Sequence, residues 1–324
     1  MKAALCKSLD GPDAIVIEEI ADPVPAPGEV VVRVRAAALN FLDTLITRGK
    51  YQFKPELPFS PAAEISGVVE ALGDGVTDLK IGQRVCGYIA WGGARGKVAV
   101  PAHLMIPVPD GVSDTAAAGV CVTYGTAVHG LKDRGGLKAG EHVAVLGASG
   151  GAGLAAVEIS KLMGAHVIAV ASSSEKLEVC RAHGADDLLN YATTDLKTGL
   201  RELTGGKGVD VVYDCVGGDY AEAALRSIAW GGRFLVIGFA AGTIPKIPLN
   251  LLLLKNAATI GVFWGEMIMR EPDRHRANMV EVLGWVAQGR LKPHVHATYP
   301  LEQIGEAINR LDKRQVTGKL VIEL

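Results

Sequence analysis

Apolar and polar side chains alternate along residues 29–37, with Val30, Val32 and Val34 on one face and Val31, Arg33 and Arg35 on the other. That period of two predicts a half-buried strand. Residues 14–20 and 64–72 are similar runs, rich in Val and Ile, and the turn Gly73-Asp74-Gly75 ends the second. Residues 40–49 differ. Phe41, Leu42, Leu45 and Ile46 recur at helical spacing and Gly49 supplies a stop. A long helix is expected over 113–131, with Asp114 in its first turn.

From residue 141 the rhythm changes. Strands are expected at 142–147, 166–171, 187–189, 209–214 and 233–238, separated by helices at 151–163, 174–183, 194–203 and 220–230. Repeated βαβ units imply an α/β fold with a doubly wound parallel sheet. A further strand at 258–263, helices at 273–288 and 301–311 and a last strand at 319–324 complete the chain, which has no internal repeat.

A chain of 324 residues has room for two domains at roughly 100–200 residues each. Its net charge of −2 is nearly balanced, and Asp133 and Glu141 interrupt the cluster Lys132, Arg134 and Lys138. No basic stripe remains, so nucleic acid is not an expected partner. The five cysteines are scattered without CxxC spacing, which argues for a reducing compartment. Asp10, Asp13, Glu18 and Glu19 precede any apolar leader core, and the apolar run 247–254 contains Pro248 and Asn250. It falls short of the ~20 residues of a spanning helix. No membrane association and a cytoplasmic location are expected.

The sharpest local signal is Val143-Ala144-Val145-Leu146-Gly147-Ala148-Ser149-Gly150-Gly151-Ala152-Gly153. A buried strand runs into a glycine turn and then a helix, the context of a dinucleotide-binding loop. Gly150 lets a pyrophosphate approach the backbone, Gly153 lets helix and strand pack closely, and the helix N-terminus offers free N–H groups. Ala148 stands where GxGxxG has its first glycine, so the match is imperfect. The next strand ends in Ala171-Ser172-Ser173-Ser174 with Lys176 beyond. The acid that would bind a ribose 2′-hydroxyl is missing. Hydroxyls and a cation suit a 2′-phosphate, so NADPH is expected over NADH. The serines also fit a plain helix cap, and both roles can hold.

Together these segments resemble the zinc-independent quinone oxidoreductase (zeta-crystallin-like) branch of the medium-chain dehydrogenase/reductase superfamily. The resemblance spans essentially the whole chain. It is carried by Asn40-Phe41-Leu42-Asp43, Gly49-Lys50-Tyr51, Leu57-Pro58, Glu64 with Gly67-Val68-Val69, Gly82-Gln83-Arg84-Val85 and Tyr124-Gly125-Thr126-Ala127. The glycine loop, Leu189-Asn190-Tyr191, Asp214-Cys215-Val216-Gly217-Gly218 and Gly318-Lys319 add to it. It implies a GroES-like β-rich catalytic domain at 1–125, a Rossmann domain at 126–264 and a segment 265–324 that returns to the first, with the active site in a cleft between them. Zinc-using relatives have a Cys where this chain has Asn40 and a His where it has Ala63, and only Cys86 lies between Val85 and Pro107. An ion that prefers nitrogen and sulfur lacks ligands here, and no metal is expected. Pro61-Ala62 departs from the Pro-Gly of many quinone reductases.

The resemblance also assigns roles. Asn40 faces the nicotinamide or serves only as a helix N-cap. Tyr51 lies in the substrate cleft, where a phenol of pKa about 10 can donate a proton, or packs beside Phe53. Thr126 contacts the nicotinamide, and Asp43 anchors its loop. Tyr191, Lys176 and Arg314 lie around the adenosine 2′-phosphate. Gly238, Phe239 and Phe263 lie near the nicotinamide, and Val216 and Lys319 join the cofactor contacts. Cys121 and Cys215 read as packing residues. The implied activity is NADPH-dependent reduction of a small-molecule electron acceptor, a quinone, by a homodimer or homotetramer. A reductase of conjugated enones or enoyl thioesters, with Arg48, Lys50 and Lys54 near Tyr51, is the second reading. A non-catalytic NADPH-binding sensor is the third.

Overall fold

The alternating stretch folds as the strand Glu29–Leu39. Its Val30, Val32 and Val34 enter a core with Ile65, Val85, Leu320 and Ile322, while Arg33 and Arg35 face water. It pairs antiparallel with Glu64–Leu72 along one edge. The other edge is shared by Lys97–Pro101 and the terminal strand Lys319–Glu323. Arg84–Tyr88, Ile106–Pro107 and Val295–Pro300 complete a seven-stranded sheet.

The computed structural model describes all of residues 1–324 and separates into two units. The first comprises Met1–Val122, Pro272–Gly289 and Pro293–Leu324, and the second Thr123–Glu271 and Arg290–Lys292. The second is built on six parallel strands in the order Asp187–Asn190, His166–Ala171, His142–Leu146, Val209–Asp214, Ile228–Val236, Ala258–Gly261. Numbered along the chain this is 3-2-1-4-5-6, the Rossmann order, with its switch point between the first and fourth strands. No helix is long and apolar enough to cross a membrane.

Several elements differ from expectation for identifiable reasons. The helix expected over 113–131 is broken into Asp114–Ala118, Cys121–Val128 and a widened turn His129–Arg134. Gly119 and Val120 interrupt it, and the Glu64 carboxylate takes the Val122 N–H, at 2.7 Å, that an unbroken helix would have used. The strand expected from 233 starts at Ile228, because residues 229–232 bulge out of register against Val209–Asp214. The short strands Lys2–Cys6, Arg84–Tyr88, Lys97–Pro101 and Val295–Pro300 escape the pattern. Each is only five or six residues long and is defined by its sheet partner rather than by its own periodicity.

Candidate active site

In the second unit, His142–Leu146 ends in Gly147, whose φ of +70° turns the chain. The helix Gly151–Leu162 follows, with Gly150 at its N-cap. A side chain at Gly153 would put its Cβ 2.2 Å from the Gly147 carbonyl oxygen and 2.6 Å from Ala148 Cα, so only glycine allows this helix to start so close to the turn. Ala148 and Ser149 are buried in the turn, and Gly150, Gly151 and Ala152 are partly exposed. The first-turn N–H groups of Gly151, Ala152 and Gly153 have no acceptor within the helix and carry its positive end.

The neighbouring loops gather here. Asp214, 3% exposed, accepts N–H bonds from Val216 (2.8 Å) and Gly217 (3.0 Å), and burial raises its carboxyl pKa against those two bonds. Val216 abuts Gly147, where a Cβ would meet its Cγ2 at 2.9 Å. The Gly238 N–H reaches the Asp214 carbonyl at 3.3 Å, and the Phe239 ring lies against Gly217. Phe239 and Phe263 are both exposed. Thr126, partly exposed, follows Gly125, which packs on the Trp264 indole next to Phe263. Asp214, Val216, Gly238, Phe239 and Phe263 lie at or just after the carboxyl ends of the parallel strands, where doubly wound sheets bind ligands.

At the end of the second strand, the Tyr191 N–H bonds to the Ala171 carbonyl at 3.2 Å and its ring packs on Tyr220 at 4.5 Å. Ser172, Ser173 and Lys176 are partly exposed beside it. Ser173 does cap the helix Ser174–Ala182, accepting the Lys176 N–H at 3.4 Å. Glu175 is a carboxylate in this group that sequence reading passed over. Its own N–H and the Ser173 hydroxyl hold it below the usual carboxylate range.

The first unit holds a buried polar cluster. Lys319 Nζ donates to Glu64 Oε1 at 2.5 Å and to Asn40 Oδ1 at 2.6 Å, and Asn40 Nδ2 donates to Glu64 Oε1 at 2.9 Å. Glu64 is 0% exposed and Lys319 4%. Asp43 accepts the Asn40 and Ala62 N–H groups, both at 2.8 Å, which caps the helix Phe41–Ile46 and anchors the neighbouring loop. Burial, the largest influence, raises the Asp43 carboxyl to about 6. Ala62 adopts φ +69°, the conformation glycine usually takes, so the departure from Pro-Gly is accommodated with the turn intact.

Tyr51 is partly buried against Cys6, Ile46 and Phe59, 6.0 Å from the Phe53 ring. Burial first, and the Asp43 charge second, raise its pKa, so the phenol stays protonated at neutral pH. Cys86 and Cys121 lie 3.9 Å apart as buried thiols, and burial keeps Cys215 protonated.

Lys319 belongs to the buried polar cluster. Expected among the cofactor contacts, its ammonium is enclosed within the first unit by Asn40 and Glu64, because its strand runs beside Glu29–Leu39 at the end nearest Asn40. Asn40 likewise spends its side chain on Glu64 and Lys319. Arg314, also in the first unit, occupies a left-handed turn at φ +56°.

Residues 26–110 match the family model for the alcohol dehydrogenase GroES-like domain, and residues 151–284 match that for zinc-binding dehydrogenases. The chain is 38% identical to quinone oxidoreductase-like protein 2 of Bos taurus over 324 residues, spanning all of this chain and 92% of that protein. It is 30% identical to the quinone oxidoreductase of Homo sapiens over 329 residues, covering 100% and 98%. It superposes on the Escherichia coli quinone oxidoreductase complexed with NADPH with a TM-score of 0.93 at 28% identity, covering 100% of both chains. The chain belongs to the medium-chain dehydrogenase/reductase family and is an oxidoreductase. Although one matching model is named for zinc, no three His, Cys, Asp or Glu side chains come together as a metal site.

Removing one partner of a buried ion pair strands the other charge. Lys319→Met is expected to lower unfolding stability by about 3–5 kcal/mol, and adding Glu64→Gln to recover most of it. Urea denaturation of the single and double variants measures this. A single-variant loss under about 1 kcal/mol would show that the pair is not structurally essential.

Proposed function

We propose that the protein is an NADPH-dependent reductase that delivers hydride to a quinone without a metal ion. The observation that carries this reading is the open helix N-terminus behind Gly150 and Gly153, with Ser172, Ser173, Lys176 and Tyr191 grouped at the end of the neighbouring strand. The Gly151–Gly153 amides and the helix dipole suit a pyrophosphate. The hydroxyls and the Lys176 ammonium suit a 2′-phosphate. Bound there, NADPH supplies the hydride. Thr126, Phe239 and Phe263 hold and flank the nicotinamide ring. The Lys319 ammonium keeps Glu64 and Asn40 fixed, so the cluster occupied by zinc ligands in other relatives is here satisfied by a lysine.

A second reading, reduction of a conjugated enone or enoyl thioester, draws on Tyr51. Its protonated phenol can deliver a proton to a developing enolate. Chelator-treated protein should oxidise NADPH with a benzoquinone, a simple enone and a short enoyl thioester at distinguishable rates. A preference for the quinone supports the first reading, and a preference for the others the second. In the second case Tyr51→Phe should lower kcat about tenfold or more with little change in NADPH affinity. Turnover of none of the three would leave only a nucleotide-binding sensor.

Lys176→Ala should weaken NADPH binding by about tenfold while changing NADH binding little, as a fluorescence titration would record. Equal losses would remove Lys176 from the 2′-phosphate site.

The protein is further proposed to form a homodimer. Ala258–Gly261 is an edge strand with an unpaired side, and Leu249, Leu253 and Leu254 beside it are 77%, 79% and 69% exposed. Such an edge invites pairing with a second copy. Leu253→Glu should shift the mass measured by light scattering toward that of one chain. A wild-type protein already at that mass would overturn the dimer.

A further inference from the structure

Arg95 lies in the loop between the strands Arg84–Tyr88 and Lys97–Pro101. Two residues of that loop are left-handed, Ala90 at φ +66° and Gly92 at φ +101°. The backbone is tied to the segment preceding Glu64: the Gly92 N–H bonds to the Ser60 carbonyl (2.7 Å), Gly93 to Ala62 (2.9 Å) and Ala94 to Pro61 (3.0 Å). The Arg95 guanidinium folds back over Gly92, where a Cβ would stand 3.8 Å from Nη2.

This guanidinium is unmatched. Its Nε is shielded from solvent without a hydrogen-bond partner. Burial is the only influence on its pKa, which it lowers, and no carboxylate opposes it. Arg35 and Arg84 pair with Asp114, and Arg48 pairs with Asp312. A second orphan lies in the segment to which this loop is bonded. Ser60 is 0% exposed and its Oγ also lacks a partner. A guanidinium cannot shed its proton, so a partly desolvated one without a counter-charge is costly unless a ligand completes it. A strained loop that holds such a group is a mark of a binding site.

The backbone of both segments runs on to the polar cluster. Ala62, two residues after Ser60, donates to Asp43, and Tyr88, at the start of the loop, pairs in register with Glu64. We propose that Arg95 binds an anionic oxygen group, carboxylate or phosphate, carried by the electron acceptor. The inference rests on the reductase reading and narrows it to acceptors that carry such an anion.

The test uses two matched pairs of acceptors. One is 4-oxopent-2-enoate and its neutral methyl ester. The other is crotonyl-CoA and the neutral crotonyl thioester of N-acetylcysteamine. Arg95→Gln should raise KM for the anionic members by about tenfold or more, leaving kcat and the neutral members nearly unchanged. Arg95→Lys, which keeps the charge, should recover part of the loss. An effect on the enoate alone identifies a carboxylate, and on crotonyl-CoA alone a phosphate; either supports the proposal. Equal changes for both members of each pair, or none, would overturn it. Calorimetric dissociation constants for the two anionic compounds provide a readout independent of turnover. If the wild type reduces no acceptor, the reductase reading falls, while weaker calorimetric binding to Arg95→Gln would still uphold the anion site. Absence of binding to the wild type would overturn it.

Discussion

The contact between Lys319 and Glu64 organises the first unit. Both groups are out of water, and a charge so placed is tolerated only when it is paired and its remaining lone pairs and protons are used. Asn40 bridges the two, and the second Glu64 oxygen takes the Val122 N–H. The ion pair thus ties together the end of one strand, the start of another, the entry to the helix Phe41–Ile46 and the start of Cys121–Val128, through which the chain passes into the second unit. A neutral substitute for either charge would leave the other with nowhere to go.

The same contact bears on chemistry. In the zinc-using branch, the resemblance places a cysteine at Asn40 and a histidine at Ala63. Here a lysine ammonium fills the polar centre and no ligand triplet forms. The same unit carries a protonated phenol at Tyr51 and a guanidinium at Arg95 whose Nε has no partner, while the Asn40 amide is held by Glu64 and Lys319. Groups of this kind are what the proposed hydride reduction would use, in which the cofactor carries the electrons and the protein orients and supplies the proton. Asp43 stands apart from this work. Both its oxygens are spent on backbone N–H groups, as suits the anchoring role the resemblance implies.

The alternation of Val30, Val32 and Val34 specified a strand of the first unit, and the βαβ rhythm after residue 141 with the glycines at 147, 150 and 153 specified the parallel sheet and the turn into its first helix; all are local features. Periodicity and backbone conformation are properties of neighbouring residues, so a linear reading captures them. The strand order, the bulge at residues 229–232 and the break at Gly119 were decided in three dimensions, since each depends on a partner far along the chain. The placement of Lys319 is the clearest case. It lies 255 residues from Glu64, and motif and resemblance grouped it with the cofactor contacts. Only the pairing of its strand with Glu29–Leu39 brings its ammonium to a carboxylate that burial leaves with no other counter-charge.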